Sequence, residues 1–124
     1  GVEVREWKID PTTGHLDPER LSDLLSDGRV RLVCFTHCSN VIGSVHPVRE
    51  WCEIVHRAGA IAVVDGVSYA PHGLPDVAAL GADVYLFSLY KVYGPHQGIM
   101  AVRRASLQPA FSRGDPSPQP VSPT

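Results

Sequence analysis

The amino-acid sequence predicts an α/β fold, a mainly parallel sheet flanked by helices. Short apolar runs alternate with amphipathic helical patterns, some of these runs are continuous and rich in β-branched residues, and polar loops follow them. The 124 residues, 44% of them apolar, are enough for one such domain and not for a large two-domain protein. We therefore expect a single layered domain.

The first third of the chain predicts a strand, a helix and a second strand. The segment "VEVREWKI" alternates apolar and polar residues and ends at the turn-forming "DPTTG", as a half-buried strand does. In "LDPERLSDLLSDG", Asp17 is suited to cap a helix, Pro18 to occupy its first position and Gly28 to follow its end. "VRLVCF" then predicts a buried strand, and a loop over 36–46 follows it.

The middle of the chain repeats this alternation. "PVREWCEIVHRAG" predicts a helix with one apolar side, and "AIAVVD" predicts a strand covered on both faces. A short helix in "LPDVAALGA" separates that strand from "DVYLFS", and "GIMAVRR" supplies a last strand. Loops 65–73 and 88–97 follow two of these strands. We expect them to meet loop 36–46 at the carboxyl edge of the sheet, where ligands of such sheets collect.

The end of the chain has a different composition. After about Gln108 the sequence continues as "SRGDPSPQPVSPT", which is rich in proline and serine and poor in apolar residues. The pattern predicts a domain over 1–108 and a disordered Pro/Ser-rich tail over 109–124.

Composition narrows the classes of partner. A formal charge of -2 gives no electrostatic reason to expect nucleic acid or an anionic membrane. The apolar runs are far shorter than the roughly 20 residues that span a bilayer, so we expect a cytoplasmic protein. Three cysteines, an odd number, favour reduced thiols: Cys34 and Cys52 at core positions and Cys38 in a loop. His and Cys residues do not recur in pairs at zinc-like spacing, so a metal site is a poor alternative.

Lys91 is one of only two lysines, and it follows a predicted buried strand among Tyr90, Tyr93 and His96. Such neighbours would desolvate the amine, lower its pKa and make it a nucleophile for a Schiff base with an aldehyde. Asp65 ends the preceding strand, 26 positions earlier. A lysine and a carboxylate are what pyridoxal phosphate requires, for its aldehyde and its pyridine nitrogen.

Simpler interpretations of these two residues exist. Lys91 could extend from a loop as an ordinary surface lysine, and Asp65 could cap a loop. Asp65 could also accept a phosphoryl group, although no acidic cluster accompanies it to bind magnesium.

Three motifs in one order resemble a known family. "SNVIG", "VVDGVSYAPH" and "FSLYKVYGPHQG" are similar to the asparagine, aspartate and lysine loops of the class V aminotransferase and cysteine desulfurase group of fold-type I pyridoxal phosphate enzymes. The resemblance runs from about residue 2 to about residue 104 and covers the middle of that family's large domain. Tyrosine before the lysine resembles the branch called cysteine desulfurase-like.

The resemblance implies a role for each matching residue. Lys91 would form the Schiff base and later move the substrate's α-proton as general base and acid, and Asp65 would pair with the protonated pyridine nitrogen. Ser88 and Tyr90 would donate to the phosphate. Asn40 would approach the ring hydroxyl or the substrate; its alternative role is to close a turn on its own backbone.

Weaker assignments follow at three more positions. Ser68 stands where the family has a glutamine that contacts the ring hydroxyl, and His72 ends the aspartate motif. His96 stands where many members carry a threonine that reaches the partner subunit's phosphate. The resemblance implies a small amino-acid substrate and, for the full enzyme, a homodimer.

Two hypotheses about function remain open. The chain is either the cofactor-binding core of an enzyme that transfers an amino group or eliminates sulfur from an amino acid, or a truncated, inactive relative that serves as a structural or interaction module. The family's phosphate-cradling loop, ring-stacking residue and carboxylate-binding arginine have no counterpart here. We therefore expect weak cofactor binding and little turnover unless other chains complete the site.

Overall fold

A computed structural model describes residues 1–106 and contains a four-stranded sheet in the order β1-β2-β3-β4. The predicted tail over 109–124 lies outside the described residues. The elements in chain order are α1 Pro18–Leu25, β1 Leu32–Thr36, α2 Val48–Arg57, β2 Ile61–Asp65, α3 Val77–Leu80, β3 Val84–Ser88 and β4 Gly98–Val102. Two short 3-10 helices, Ala70–His72 and Leu89–Val92, lie in the loops after β2 and β3.

The strand directions confirm the predicted mainly parallel sheet. Strands β1, β2 and β3 are parallel, with Thr36 beside Asp65 and Asp65 beside Leu86. Strand β4 runs antiparallel to β3, because the chain returns directly through loop 88–97 instead of crossing over through a helix. The carboxyl ends of the three parallel strands therefore lie at one edge.

The helices form where their sequence signals predict them. Helix α1 has Pro18 in its first turn, and the Asp17 side chain accepts a hydrogen bond of 2.9 Å from the Glu19 N–H. This bond satisfies one of the donors that the first turn leaves unpaired. Helix α2 buries Val48, Trp51, Cys52 and Val55 on one side, as predicted.

The core lies between the helices and one face of the sheet. Its centre is a set of edge-on aromatic contacts: the rings of Trp7 and Trp51 have centroids 4.6 Å apart, and those of Phe35 and Trp51 are 5.4 Å apart. The other buried apolar side chains of this cluster come from α1, α2, β2, β3 and the segments that lead into β2 and β3: Leu21, Leu25, Val48, Cys52, Val55, Ala60, Ala62, Val64, Ala82 and Tyr85.

The prediction of a strand over "VEVREWKI" is wrong. Within residues 1–106 this segment pairs with no strand, and Val2 is 93% exposed. A cavity of about 910 Å³ is lined by this segment, α1 and β1, and within the described residues the segment does not pair with the outer edge of β1. Trp7 and Arg5 hold the segment in place instead. Trp7 donates a hydrogen bond of 2.8 Å to the Asp17 carbonyl, and Arg5 donates one of 2.9 Å to the Leu24 carbonyl.

The prediction that the sheet is covered on both faces at the strand in "AIAVVD" is also wrong. The face opposite the helices carries exposed and half-buried apolar residues; Leu32 is 52% and Met100 63% exposed. Cys34 lies on this open face and is exposed, contrary to its predicted core position, whereas Cys38 and Cys52 are buried. The reason is that the core cluster of the described residues packs on the side of Phe35, Val64 and Tyr85 only.

None of the helices found among residues 1–106 has the length and apolar character that crossing a membrane requires.

Candidate functional site

Three polar side chains follow the carboxyl edge of the parallel strands. Thr36 lies beside Asp65 in the register of β1 and β2, and Asp65 lies beside Leu86 of β3. Because side chains alternate between faces, Ser88, two residues after Leu86, projects from the same face as Asp65. This is the open face, so the row Thr36, Asp65 and Ser88 is accessible from solvent.

Asp65 is exposed, and its backbone is held on two sides. One carboxylate oxygen, Oδ1, accepts a hydrogen bond of 2.9 Å from the Val67 N–H. The Asp65 carbonyl accepts a hydrogen bond of 2.7 Å from the His37 N–H and one of 3.3 Å from Oγ1 of Thr36. The strand end is thereby fixed, while the second carboxylate oxygen accepts no hydrogen bond from residues 1–106.

Lys91 lies in the 3-10 helix Leu89–Val92, directly after β3. Its Nζ is 5.6 Å from the ring centroid of Tyr90, within the range of a cation–π contact. The Tyr90 ring stacks in turn on His96, with centroids 5.2 Å apart. Lys91 itself is exposed, so the expectation that these neighbours desolvate it is wrong for the described residues.

The loop around Lys91 is shaped by its backbone. Tyr93 ends the 3-10 helix in the left-handed conformation, with φ of 65°. The Gly94 N–H donates 2.8 Å to the Leu89 carbonyl. A Cβ at Gly94 would lie 2.9 Å from the Leu89 Cβ, so glycine permits the close return of the chain.

Asn40 lies at the tip of loop 36–46 and is exposed. Oγ of Ser39, not the Asn40 amide, closes the turn, because it accepts hydrogen bonds of 3.3 Å from the Val41 and Ile42 N–H groups. In the part of the chain that the structure describes, the Asn40 side chain makes no hydrogen bond. Its amide is available to a ligand.

Loop 65–73 lies next to the lysine loop. The 3-10 helix Ala70–His72 packs against the 3-10 helix Leu89–Val92. Ser68 is half-buried in this loop, and His72 is exposed at the end of its helix. The fold therefore brings the aspartate and lysine loops together, with Asn40 in the loop after the neighbouring strand.

The sequence interpretation missed a buried group below Asp65. His37 is 5% exposed, and its Nδ1 lies 2.8 Å from the Tyr85 hydroxyl. The His37 ring stacks on Tyr69 at 3.7 Å between centroids. The signal in the sequence that could have indicated this group is Tyr85, a polar aromatic residue within the apolar "DVYLFS".

Burial changes the acidity of this group. It lowers the pKa of His37, and the nearby His46 lowers it further. Burial raises the pKa of Tyr85 to about 12, with smaller contributions from Tyr69 and Asp65. Both side chains are therefore neutral at pH 7.

The functional groups at this edge fit the needs of pyridoxal phosphate. They comprise an amine, a carboxylate and two hydroxyls, on Lys91, Asp65, Ser88 and Tyr90, carried by adjacent loops of one sheet edge. Among the described residues, no group of three or more His, Cys, Asp and Glu side chains could hold a metal ion. An exposed amine such as that of Lys91 is a group that can react with an aldehyde.

Comparisons with known proteins identify the family of the chain. Residues 1–115 match the family model described as Aminotransferase class-V. The chain is 47% identical over 113 residues to the aminotransferase-like protein FGM3 of Gibberella zeae, which covers 90% of the chain and 28% of that protein. It is 42% identical over 109 residues to a cysteine desulfurase of Escherichia coli, covering 87% of the chain and 26% of the relative.

Solved structures give the same result. The apo structure of cysteine desulfurase from Thermococcus onnurineus NA1 matches with a TM-score of 0.69 and 32% identity, over 77% of the chain and 24% of that protein. The chain thus spans about a quarter of the length of these three proteins. The predicted fold class, part of the large domain of a fold-type I pyridoxal phosphate enzyme, is confirmed. The chain belongs to the class V aminotransferase family.

Proposed function

We propose that this chain is the cofactor-binding core of a pyridoxal phosphate-dependent enzyme that acts on an amino acid through a Schiff base at Lys91. The observation that carries the proposal is the position of Lys91 and Asp65 in touching loops at one sheet edge, with Ser88 on the same face as Asp65. Family membership supports it, because aminotransferases and cysteine desulfurases are among the relatives.

Bound pyridoxal phosphate supplies an aldehyde for covalent capture of an amine and a protonated pyridine ring that withdraws electrons from the substrate. Asp65 keeps the pyridine nitrogen protonated, since its free carboxylate oxygen accepts that proton's hydrogen bond. Ser88 and Tyr90 donate their hydroxyl hydrogens to the phosphate.

Lys91 has two tasks in the proposed function. Its amine holds the cofactor before the substrate arrives, and afterwards it takes and returns the α-proton of the substrate. The short 3-10 helix sets the start of its side chain, and the Tyr90 ring lies against its ammonium group at 5.6 Å from Nζ.

The remaining residues have supporting roles in the proposal. Asn40 donates from its exposed amide to the ring hydroxyl or to the substrate. Ser68 is shorter than the glutamine of the family pattern, so its contact with the ring hydroxyl is either left to water or removed. His72 and His96 border the site at its two sides.

The reaction is either transfer of the amino group or removal of sulfur from a small amino acid, since relatives with both kinds of name match the chain. We also propose a homodimer in the cytoplasm. Exposed apolar side chains at the site edge, Val41 at 86% and Tyr93 at 105% exposure, are the kind of surface that such a dimer covers.

One observation favours the alternative, an inactive relative that serves as a structural or interaction module. Lys91 and Asp65 are both exposed, and the open sheet face beside them is uncovered by the described residues. A site open to water weakens the electrostatic effects on which catalysis depends.

The chain contains two lysines, which makes the test simple. Purified protein is incubated with pyridoxal phosphate and reduced with borohydride, and the modified peptide is identified by mass spectrometry. We expect the adduct on Lys91. Lys91→Arg should abolish it, and Lys8→Arg, which changes an exposed lysine far from the site in sequence, should not.

Three outcomes are informative. An adduct on Lys91 together with turnover of an amino acid supports the enzyme. An adduct without turnover supports the inactive relative. Modification confined to Lys8 or to the α-amine of Gly1 would refute the proposed role of Lys91.

A further inference from the structure

A buried aromatic group lies directly below Asp65. The His37 ring is enclosed, with Nδ1 at 2.8 Å from the Tyr85 hydroxyl and its plane within 16° of the Tyr69 ring. Tyr85 is 0% exposed, so its hydroxyl needs a partner within the protein. His37 is that partner, and the bond joins the residue that follows β1 to the second residue of β3.

The same tyrosine touches the backbone that carries Asp65. A Cβ built on Gly66 would lie 2.1 Å from the Tyr85 ring, a distance that no real side chain tolerates. The ring therefore packs against the residue that follows Asp65, and only glycine permits this approach.

Backbone hydrogen bonds hold the peptide between Asp65 and Gly66 from both sides. The His37 N–H donates 2.7 Å to the Asp65 carbonyl, and the Gly66 N–H donates 2.7 Å to the Leu86 carbonyl. His37 thus binds Tyr85 through its ring and Asp65 through its backbone. A shift of the ring moves the donor that fixes the strand end.

We infer that His37 and Tyr85 are positioning residues, which fix the Asp65–Gly66 peptide and thereby the direction of the Asp65 carboxylate toward the pyridine nitrogen. The cofactor part of this inference rests on the proposed function. Both side chains are buried, so they act through Asp65. The neutral state of His37, favoured by burial, keeps its ring able to share a hydrogen bond with the neutral tyrosine.

Two variants separate the contributions. Tyr85→Phe keeps the ring below Gly66 and removes only the hydroxyl. His37→Asn places an amide near the position of Nδ1, so it retains a partner for Tyr85 but loses the stack on Tyr69. We expect the larger effect from Tyr85→Phe, because it leaves a buried nitrogen without its partner.

The first measurement needs no cofactor. Amide hydrogen exchange of the full chain is followed by NMR, with the Val55 amide of α2 as an internal reference. We expect exchange of the His37 and Gly66 amides to accelerate about tenfold in Tyr85→Phe, the effect of losing one buried hydrogen bond, with Val55 unchanged. Equal acceleration at Val55 would show general destabilisation and overturn the inference, as would unchanged exchange at all three amides.

The second measurement uses pyridoxal phosphate with borohydride trapping. We expect Tyr85→Phe to raise the cofactor concentration for half-maximal labelling of Lys91 by about tenfold, as loss of supporting contacts does at other sites, and His37→Asn to raise it less. Labelling equal to that of the unaltered chain would overturn the inference. Absence of labelling in the unaltered chain would refute the proposed function, while the exchange experiment would still decide whether the two residues position Asp65.

Discussion

The imidazole of His56 donates a hydrogen bond of 2.7 Å to the Asp83 carboxylate and so joins the end of α2 to the start of β3. The same carboxylate accepts 2.8 Å from the Ala62 N–H and a short bond from the Ser106 hydroxyl. Burial by itself raises the pKa of Asp83, but the hydrogen bonds from Ser106, Ala62 and His56 outweigh it, and the pKa lies below its ordinary value.

Asp83→Asn should therefore destabilise the protein in a pH-dependent manner. A carboxyl whose pKa is depressed by folding stabilises above its unfolded pKa of about 3.9, and this stabilisation is lost as the pH falls through the folded value. We expect the free energy of unfolding to fall by about 1–3 kcal/mol at pH 7, and by less at pH 3. Urea unfolding at both pH values measures this. Asp23→Asn, an exposed control, should have little effect; an equal loss at both pH values for Asp83→Asn would contradict the account.

Tyr85 should ionise only in strong alkali. Its pKa is raised to about 12 by burial first and by Tyr69 and Asp65 next. Because the folded pKa exceeds the unfolded value of about 10, the stabilisation is complete below pH 10 and is lost as the pH rises through 12. In an ultraviolet titration, Tyr85→Phe should remove the phenolate signal that develops near pH 12. A variant that loses signal near pH 10 instead would contradict the burial of this hydroxyl.

The three cysteines should react at different rates. Cys34 is exposed on the open sheet face, whereas Cys38 and Cys52 are buried. Burial, together with the charge of Asp83, raises the pKa of Cys52 to about 11, so little of its reactive thiolate exists at pH 8. Brief alkylation at pH 8 followed by peptide mapping should find Cys34 labelled on the order of tenfold or more faster than Cys52. Cys34→Ser should remove the fast phase; equal rates for all three would contradict the described packing.

Trp51 should be the costliest apolar side chain to remove from the core. It is 3% exposed and lies between Trp7, Phe35 and the stacked ring of His46. Trp51→Ala should lower the free energy of unfolding by about 3–5 kcal/mol, because the cavity cannot collapse between rings held by three separate segments of the chain. Val41→Ala, at a position 86% exposed, should change it by less than about 0.5 kcal/mol. Chemical denaturation measures both, and similar losses would contradict the prediction.

Substitution by alanine should have different effects at two glycines near the lysine loop. A Cβ on Gly94 would meet the Leu89 Cβ at 2.9 Å, whereas a Cβ on Gly98 would meet nothing within 4 Å. Gly94→Ala should lower the free energy of unfolding by about 1–3 kcal/mol through this overlap, and should also displace Lys91 and reduce its labelling by pyridoxal phosphate. Gly98→Ala should do neither. Thermal unfolding and borohydride trapping test the pair, and equal behaviour would refute the steric explanation.

Local signals in the sequence predicted most of the elements. Asp17 and Pro18 marked the start of α1, and the apolar side of "PVREWCEIVHRAG" identified α2. These signals act within a few residues, so they do not depend on the rest of the fold. The strand pattern of "VEVREWKI" failed because a strand requires a neighbour at hydrogen-bonding distance, and alternation alone does not provide one.

The candidate site, like the fold, was predictable from the sequence only in part. The asparagine, aspartate and lysine motifs predicted that their side chains lie in loops at the carboxyl ends of neighbouring strands, and the structure places Asn40, Asp65 and Lys91 in such loops. The exposure of Lys91 did not follow from its aromatic neighbours, since burial depends on everything that packs around the loop. His37 and Tyr85 are 48 positions apart, and no periodicity relates them.

The sequence by itself determined the helices, the parallel strands and the chemical groups at the carboxyl edge, because these depend on local propensity and on residue type. Only the tertiary structure decided which face of the sheet is covered, that Lys91 is open to solvent, and that a buried hydrogen bond lies below Asp65. Burial and long-range contacts are properties of the packed chain, since they arise between residues that the backbone brings together only on folding.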